Sequence, residues 1–234
     1  MSNTDYCIVG SGRLATHLRY WLLEKGHTVA SWSRQNSDLR TLRSLSKNAL
    51  STLVAINDQS IEELCSFISE AGGSPVHFSG ALHINGVLGF HPLMSFSNTF
   101  LDLETYSSIP FVGCEESDVF RRTFPSFKQN PYYQIEPQQK VKYHALCVLV
   151  NNCAMQLWAR SVDEASAQMG LPVSIFDPII QRSASSWVED KASGITGPLV
   201  RNDLKTIEAH LGALDDEPLL KLYKAFLELP KPDE

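Results

Sequence analysis

The residues most able to do chemistry fall into three groups. The first opens the chain: Gly10-Ser11-Gly12-Arg13-Leu14-Ala15, directly after the apolar run Tyr6 to Val9. Gly10 permits a tight turn, and Gly12 lets an anion come close to the backbone. Ala15 takes the third small position, where a helix packs on a strand. The helix that follows offers uncapped N–H groups and about half a positive charge to a diphosphate. The next strand, residues 28–32, ends in Ser33 and Arg34, with no carboxylate before Asp38. A hydroxyl and a guanidinium suit a 2′-phosphate, so the pattern favours NADP over NAD. A solvated surface arginine is the alternative reading of Arg34.

The second group lies at the ends of later strands. Asn57 and Asp58, Ser79 and Gly80, and His91 are placed to line a ligand, because open parallel sheets bind beyond the C-terminal ends of their strands. Asn57 and Ser79 are expected at the cofactor and His91 at the substrate, although Asn-Asp and Ser-Gly are also ordinary turn formers. The third group belongs to the C-terminal part. His144, Asn151 and Asn152 sit on an apolar background, and the seven-residue spacing of His144 and Asn151 returns an α-helix to one face. An unperturbed imidazole titrates near pH 6.5, which suits proton transfer. His144 and Asn152 are the candidate catalytic pair, with a structurally satisfied histidine as the alternative. Further on, Arg201, Asp203 and His210 are candidate substrate-binding residues, and Arg201 could bind a substrate carboxylate or a phosphate; Asn202-Asp203 suits a helix N-cap equally well. The histidines lack metal-ligand spacing.

Strands alternating with helices up to residue 136 imply a Rossmann-type, mostly parallel sheet. Strands are expected at 51–56, 75–78, 109–112 and 132–135. Only a short link joins the second strand to the strand at 51–56, so the usual third strand of the first half looks trimmed away. From Pro137 the chain reads as helices. One long helix is expected over 141–169, stopped by Gly170-Leu171-Pro172, and others over 174–189, 203–214 and 218–229. The organisation is thus a dinucleotide-binding domain over 1–136 and an all-α substrate or dimerisation domain over 137–234.

Composition narrows the classes. The formal net charge of −6 argues against wrapping nucleic acid. No apolar run reaches membrane-spanning length. The chain enters its first strand within five residues, which leaves no room for a targeting peptide. Five scattered cysteines suggest reduced thiols in a cytoplasm.

In order along the chain, Gly10-x-Gly12-Arg13-Leu14-Ala15, His77-x-Ser79-Gly80-Ala81, His91-Pro92-Leu93-x-x-Phe96, Tyr143-His144-Ala145, Asn152 and Thr196-Gly197-Pro198-x-x-Arg201-x-Asp203 through Thr206 and His210 resemble a family of Rossmann-like predicted NADP oxidoreductases. Its members carry a helical C-terminal domain of unknown function, numbered 2520. The chain is also similar to the wider 6-phosphogluconate and 3-hydroxyisobutyrate dehydrogenase-like group. The resemblance implies a dinucleotide domain and a helical domain that pairs subunits into a homodimer. It supplies no substrate. The wider group places a lysine, then an asparagine, on the interdomain helix; here His144 stands at about that place and Lys142 is offset. The expectation is hydride transfer to or from a small carbonyl, hydroxy or imine compound in an interdomain cleft. The rival is an NADP-binding sensor or scaffold without turnover.

Overall fold

The computed structural model describes residues 4–230. Seven strands form one sheet: β1 (Thr4–Val9), β2 (Val29–Trp32), β3 (Ala49–Val54), β4 (Pro75–His77), β5 (Leu88–Pro92), β6 (Phe111–Gly113) and β7 (Tyr132–Gln134). Their spatial order is β2-β1-β3-β4-β5-β6-β7. The first five run parallel; β6 is antiparallel to β5, and β7 follows β6 in parallel. β3 pairs directly with β1 on one side, and β2 forms the edge on the other. The strand that commonly lies beyond β2 in this topology is absent among the described residues, as the short link in the sequence implies.

Helices cover both faces. α1 (Arg13–Glu24) turns Ala15, Leu18, Trp21 and Leu22 inward at helical spacing. They join an aromatic core containing Phe111, Phe120, Phe124 and Phe127. Trp21 stacks on Phe127 with ring centroids 4.1 Å apart. Fully burying a side chain of this kind stabilises by about 1.5–3 kcal/mol. α2 (Leu39–Asn48) and α3 (Ile61–Glu70) cover the other face, where Leu42, Ile61, Cys65 and Ile68 pack on Cys7, Val9 and Val54. Asp38 caps α2 through the Thr41 N–H at 2.9 Å. α4 (Leu103–Ser108), which the periodicity does not reveal, and α5 (Ser117–Thr123) complete this part.

The expected helix over 141–169 consists of three pieces. These are α6 (Lys140–Val148), a π-helical turn over Leu149–Cys153, and α7 (Ala154–Met169). The chain divides into compact units at residues 148 and 149, so α6 belongs with the sheet. The second unit is helical: α7, α8 (Asp177–Asp190), the short α9 (Pro198–Arg201), α10 (Leu204–Ala213) and α11 (Glu217–Leu227). Gly170 ends α7 at φ +66°, a left-handed conformation that favours glycine. Arg160 pairs with Asp216, and the Asp216 carboxylate also caps α11 through the Leu219 N–H. No helix among the described residues is long and apolar enough to cross a membrane.

Candidate functional site

β1 ends at Val9, and the chain reverses at Gly10, whose N–H donates to the Trp32 carbonyl at 2.9 Å. Gly10 has φ +130°. A Cβ there would stand 2.2 Å from the carbonyl oxygen of Ala55, so the fold itself requires this glycine. Gly12 differs. A Cβ on it would meet nothing within 4 Å. Packing does not call for a bare backbone at this point, and an external group could use the room. Gly12 is also the N-cap of α1 and provides no side-chain cap, so the first-turn N–H groups face that space.

This space is a groove of about 460 Å³ lined by residues 10–14, 32–35 and 55–57 together with Leu64. It gathers Gly10, Ser11, Gly12, Arg13, Leu14, Ser33, Arg34 and Asn57. Ser33 is 8% exposed, and its Oγ has no hydrogen-bond partner. A buried hydroxyl left unpaired costs about 1–3 kcal/mol, and an oxyanion entering the groove would relieve it. The Arg34 guanidinium donates to Ser60 Oγ at 3.2 Å and remains exposed. The Asn57 side chain accepts from the Gln59 N–H at 3.1 Å and so caps a short 3₁₀ turn. Open space over an uncapped helix N-terminus, an unpaired hydroxyl and a nearby guanidinium fit a dinucleotide carrying a further phosphate.

A second cavity, of about 210 Å³, shares Leu14 and Ile56 with the groove and reaches Asp58, Ser79, Gly80, His91 and His144. Ser79 is already engaged by its own turn and by Asp58. Its Oγ donates to Asp58 Oδ2 at 2.7 Å and accepts from the N–H groups of Ala81 and Leu82 at 3.2 and 3.0 Å. Gly80 lets α6 approach: a Cβ would fall 2.6 Å from His144 Cδ2 and 3.2 Å from His91 Cδ2. The two imidazoles stand perpendicular, with centroids 5.8 Å apart. His91 Nδ1 lies 2.8 Å from the Tyr143 hydroxyl. Burial first, then the charges of His144 and Lys140, push His91 down to about 4. Burial and the same lysine do likewise to His77.

Lys140 is the residue that sequence reasoning passes over. It is 2% exposed, and its Nζ donates to the Ser79 carbonyl at 3.1 Å. Burial lowers its pKa. A signal existed in its position four residues before His144, one helical turn, which Lys142 does not have.

The remaining candidates lie in the π-turn and the helical unit. Asn151 is half-buried and Asn152 exposed within the π-helical turn. The one-face reading assumed α-helical spacing, which this turn does not have. Arg201 ends α9 and is exposed. The Asp203 carboxylate caps α10, accepting from Thr206 N–H at 3.2 Å and from Thr206 Oγ1 at 2.8 Å. Those bonds hold it below the usual carboxylate range. His210 Nδ1 lies 2.8 Å from the Tyr223 hydroxyl.

The topology and the glycine turn define a Rossmann-type α/β protein with a helical C-terminal unit. Comparison with known proteins agrees with the resemblance drawn from the motifs. Residues 115–228 match the model for the domain of unknown function DUF2520. The chain is similar to the crystal structure of a proposed NADP oxidoreductase from Bacteroides fragilis, at 25% identity over 96% of each chain and a TM-score of 0.74. It is similar also to a protein from Thermotoga maritima, at 18% identity over 95% of each chain and a TM-score of 0.68. A pyrroline carboxylate reductase from Plasmodium falciparum, solved with NADP bound, shares the fold at 12% identity over 97% of each chain and a TM-score of 0.58. No curated protein sequence matches the chain.

Proposed function

We propose that this chain is an NADP-dependent oxidoreductase acting on a small carbonyl, hydroxy or imine compound. The observation that carries the reading is the open cradle at Gly12, with an unpaired Ser33 hydroxyl in the same groove. Backbone N–H groups of residues 11–13 hold the diphosphate, and Ser33 and Arg34 take the 2′-phosphate. The coenzyme supplies or accepts the hydride. The likeness to a proposed NADP oxidoreductase and to a reductase solved with NADP accords with this choice.

The substrate end is assigned to the smaller cavity. His144 gives a proton to the substrate oxygen or nitrogen on reduction and regains it from water. Leu14, Ile56 and Phe78 supply apolar wall around the reacting carbon. Calorimetry with NADPH, NADP and NADH tests the binding half of the reading. NADPH oxidation across a panel of small ketones, 2-oxo acids and cyclic imines tests the turnover half. Binding of no pyridine coenzyme would end the reading. Tight binding with no turnover over a broad panel would favour a sensor.

We further propose that two copies pair through the helical unit. Val150, Met169, Val173, Val188 and Leu204 are each at least 66% exposed there, apolar surface that a second copy could cover. Light scattering after size-exclusion chromatography reads the mass, and a monomer at micromolar concentration would refute the pairing.

A further inference from the structure

The pair His91 and Tyr143 has a geometry that the hydride-transfer reading leaves unused. His91 Nδ1 and the Tyr143 hydroxyl are 2.8 Å apart, with the rings edge-on at 79°. His91 Nε2 has no hydrogen-bond partner among the described residues, and the ring lines the small cavity. Two proton arrangements satisfy the 2.8 Å contact. In one, the phenol donates to Nδ1 and the ring proton sits on Nε2. In the other, Nδ1–H donates to the phenol oxygen, and the phenol hydrogen must find a new acceptor. The neighbour on hand is the Cys147 thiol, one helical turn on, and sulfur accepts weakly. The first arrangement therefore wins.

We propose that Tyr143 is a positioning residue that holds His91 in the tautomer protonated on Nε2, making that edge of the ring a hydrogen-bond donor to a carbonyl oxygen in the cavity. The surroundings support this. His144 faces His91 across Gly80, and Lys140 stands behind the Ser79 carbonyl. Burial first, then the electrostatic influence of these neighbours, disfavours a charged His91. Burial lowers the Lys140 pKa, and the nearby carboxylates of Glu115 and Asp58 offset part of that effect. A neutral imidazole can polarise a carbonyl without giving up a proton, as triosephosphate isomerase does. The carbonyl could belong to the coenzyme carboxamide or to a substrate. The ligand-facing role rests on the oxidoreductase reading; the tautomer does not.

The full-length protein with ¹⁵N-labelled histidine tests this at pH 7 by long-range ¹⁵N–¹H correlation. The His91 signals are identified by their loss in His91→Asn. The expected result is a single Nε2-protonated form in the wild type, a mixture of tautomers in Tyr143→Phe, and an unchanged pattern in Cys147→Ala. An Nδ1-protonated wild type overturns the proposal, and so does a pattern indifferent to Tyr143→Phe. If Tyr143→Phe fails to fold, the wild-type and Cys147→Ala spectra still decide. Ligand arms then locate the acceptor. A shift at Nε2 with NADPH but not with 2′-phospho-ADP-ribose assigns it to the carboxamide. A shift only on adding a small ketone to the NADPH complex assigns it to the substrate. No shift with any of these overturns the ligand-facing role, whatever calorimetry reports at the glycine turn.

Discussion

The carbonyl oxygen of Ala55 lies 2.2 Å from where a Cβ on Gly10 would stand, while a Cβ on Gly12 would touch nothing. Two glycines in one turn thus differ: the fold requires the one at Gly10, while no contact within the fold requires the one at Gly12. Gly10→Ala is expected to destabilise the protein by on the order of 2 kcal/mol or more, because φ +130° and the close carbonyl both oppose a side chain. Gly12→Ala should leave the melting temperature within a degree or two and weaken NADPH binding at least tenfold. Thermal melts and calorimetry on the two variants make the comparison. Equal loss of stability in both would mean that Gly12 serves packing after all.

Ser33 and Arg34 should govern the choice of coenzyme. Hydrogen bonds to a charged group contribute about 1.5–3 kcal/mol. The double variant Ser33→Ala, Arg34→Ala is therefore expected to lose roughly ten- to hundredfold in NADPH affinity and to change NADH affinity by less than about twofold. Arg34 already donates to Ser60, so part of its energy goes to that bond, and Ser60→Ala should cost little. A parallel loss for both coenzymes would move the 2′-phosphate away from this end of the groove.

How much of this can be read from the sequence depends on how local each cause is. The glycine turn is legible because strand, turn and helix adjoin within fifteen residues. The trimmed sheet is legible because the link between β2 and β3 is too short for another strand and crossover. Lys140 is not legible in isolation. A long charged side chain reads as surface, and its burial depends on a carbonyl 61 residues away. The π-turn at Leu149–Cys153 has an ordinary helical composition, so nothing in its residues announces it. Asp203 reads equally as cap or ligand, and only the Thr206 bonds show its carboxylate engaged as a cap. Ser79 reads as a ligand contact, and its oxygen turns out to be occupied by its own turn and Asp58.

Buried His77 and half-buried His91 predict how stability responds to acid. His77 and His91 are both pushed down to about 4 from an ordinary 6.5, chiefly by burial. The unfolded chain therefore binds more protons than the native one between about pH 6.5 and 4. Stability is complete above that window and falls as the pH drops through it. The loss is on the order of 3 kcal/mol per histidine as an upper bound. Denaturant melts at pH 7.5, 5.5 and 4.5 should show this decline. His91→Asn should remove about half of the slope over that interval. A flat profile down to pH 4.5 would mean that water reaches these rings.

Gly80 makes the sharpest demand on the small cavity. A Cβ there would come within 2.6 Å of one imidazole and 3.2 Å of the other. His144 sits on α6 and His91 on β5, and Lys140 fixes the Ser79 carbonyl next to the glycine, so a Cβ there has to displace at least one of the rings. Overpacking of this kind typically costs about 1–3 kcal/mol. Gly80→Ala is thus expected to destabilise within that range, shift the ring signals of both histidines, and reduce turnover well beyond its effect on NADPH affinity. Resonance shifts and steady-state kinetics on one preparation separate these effects. If the variant kept both ring signals in place, the close approach of α6 to the Ser79-Gly80 turn would not be what positions the imidazoles.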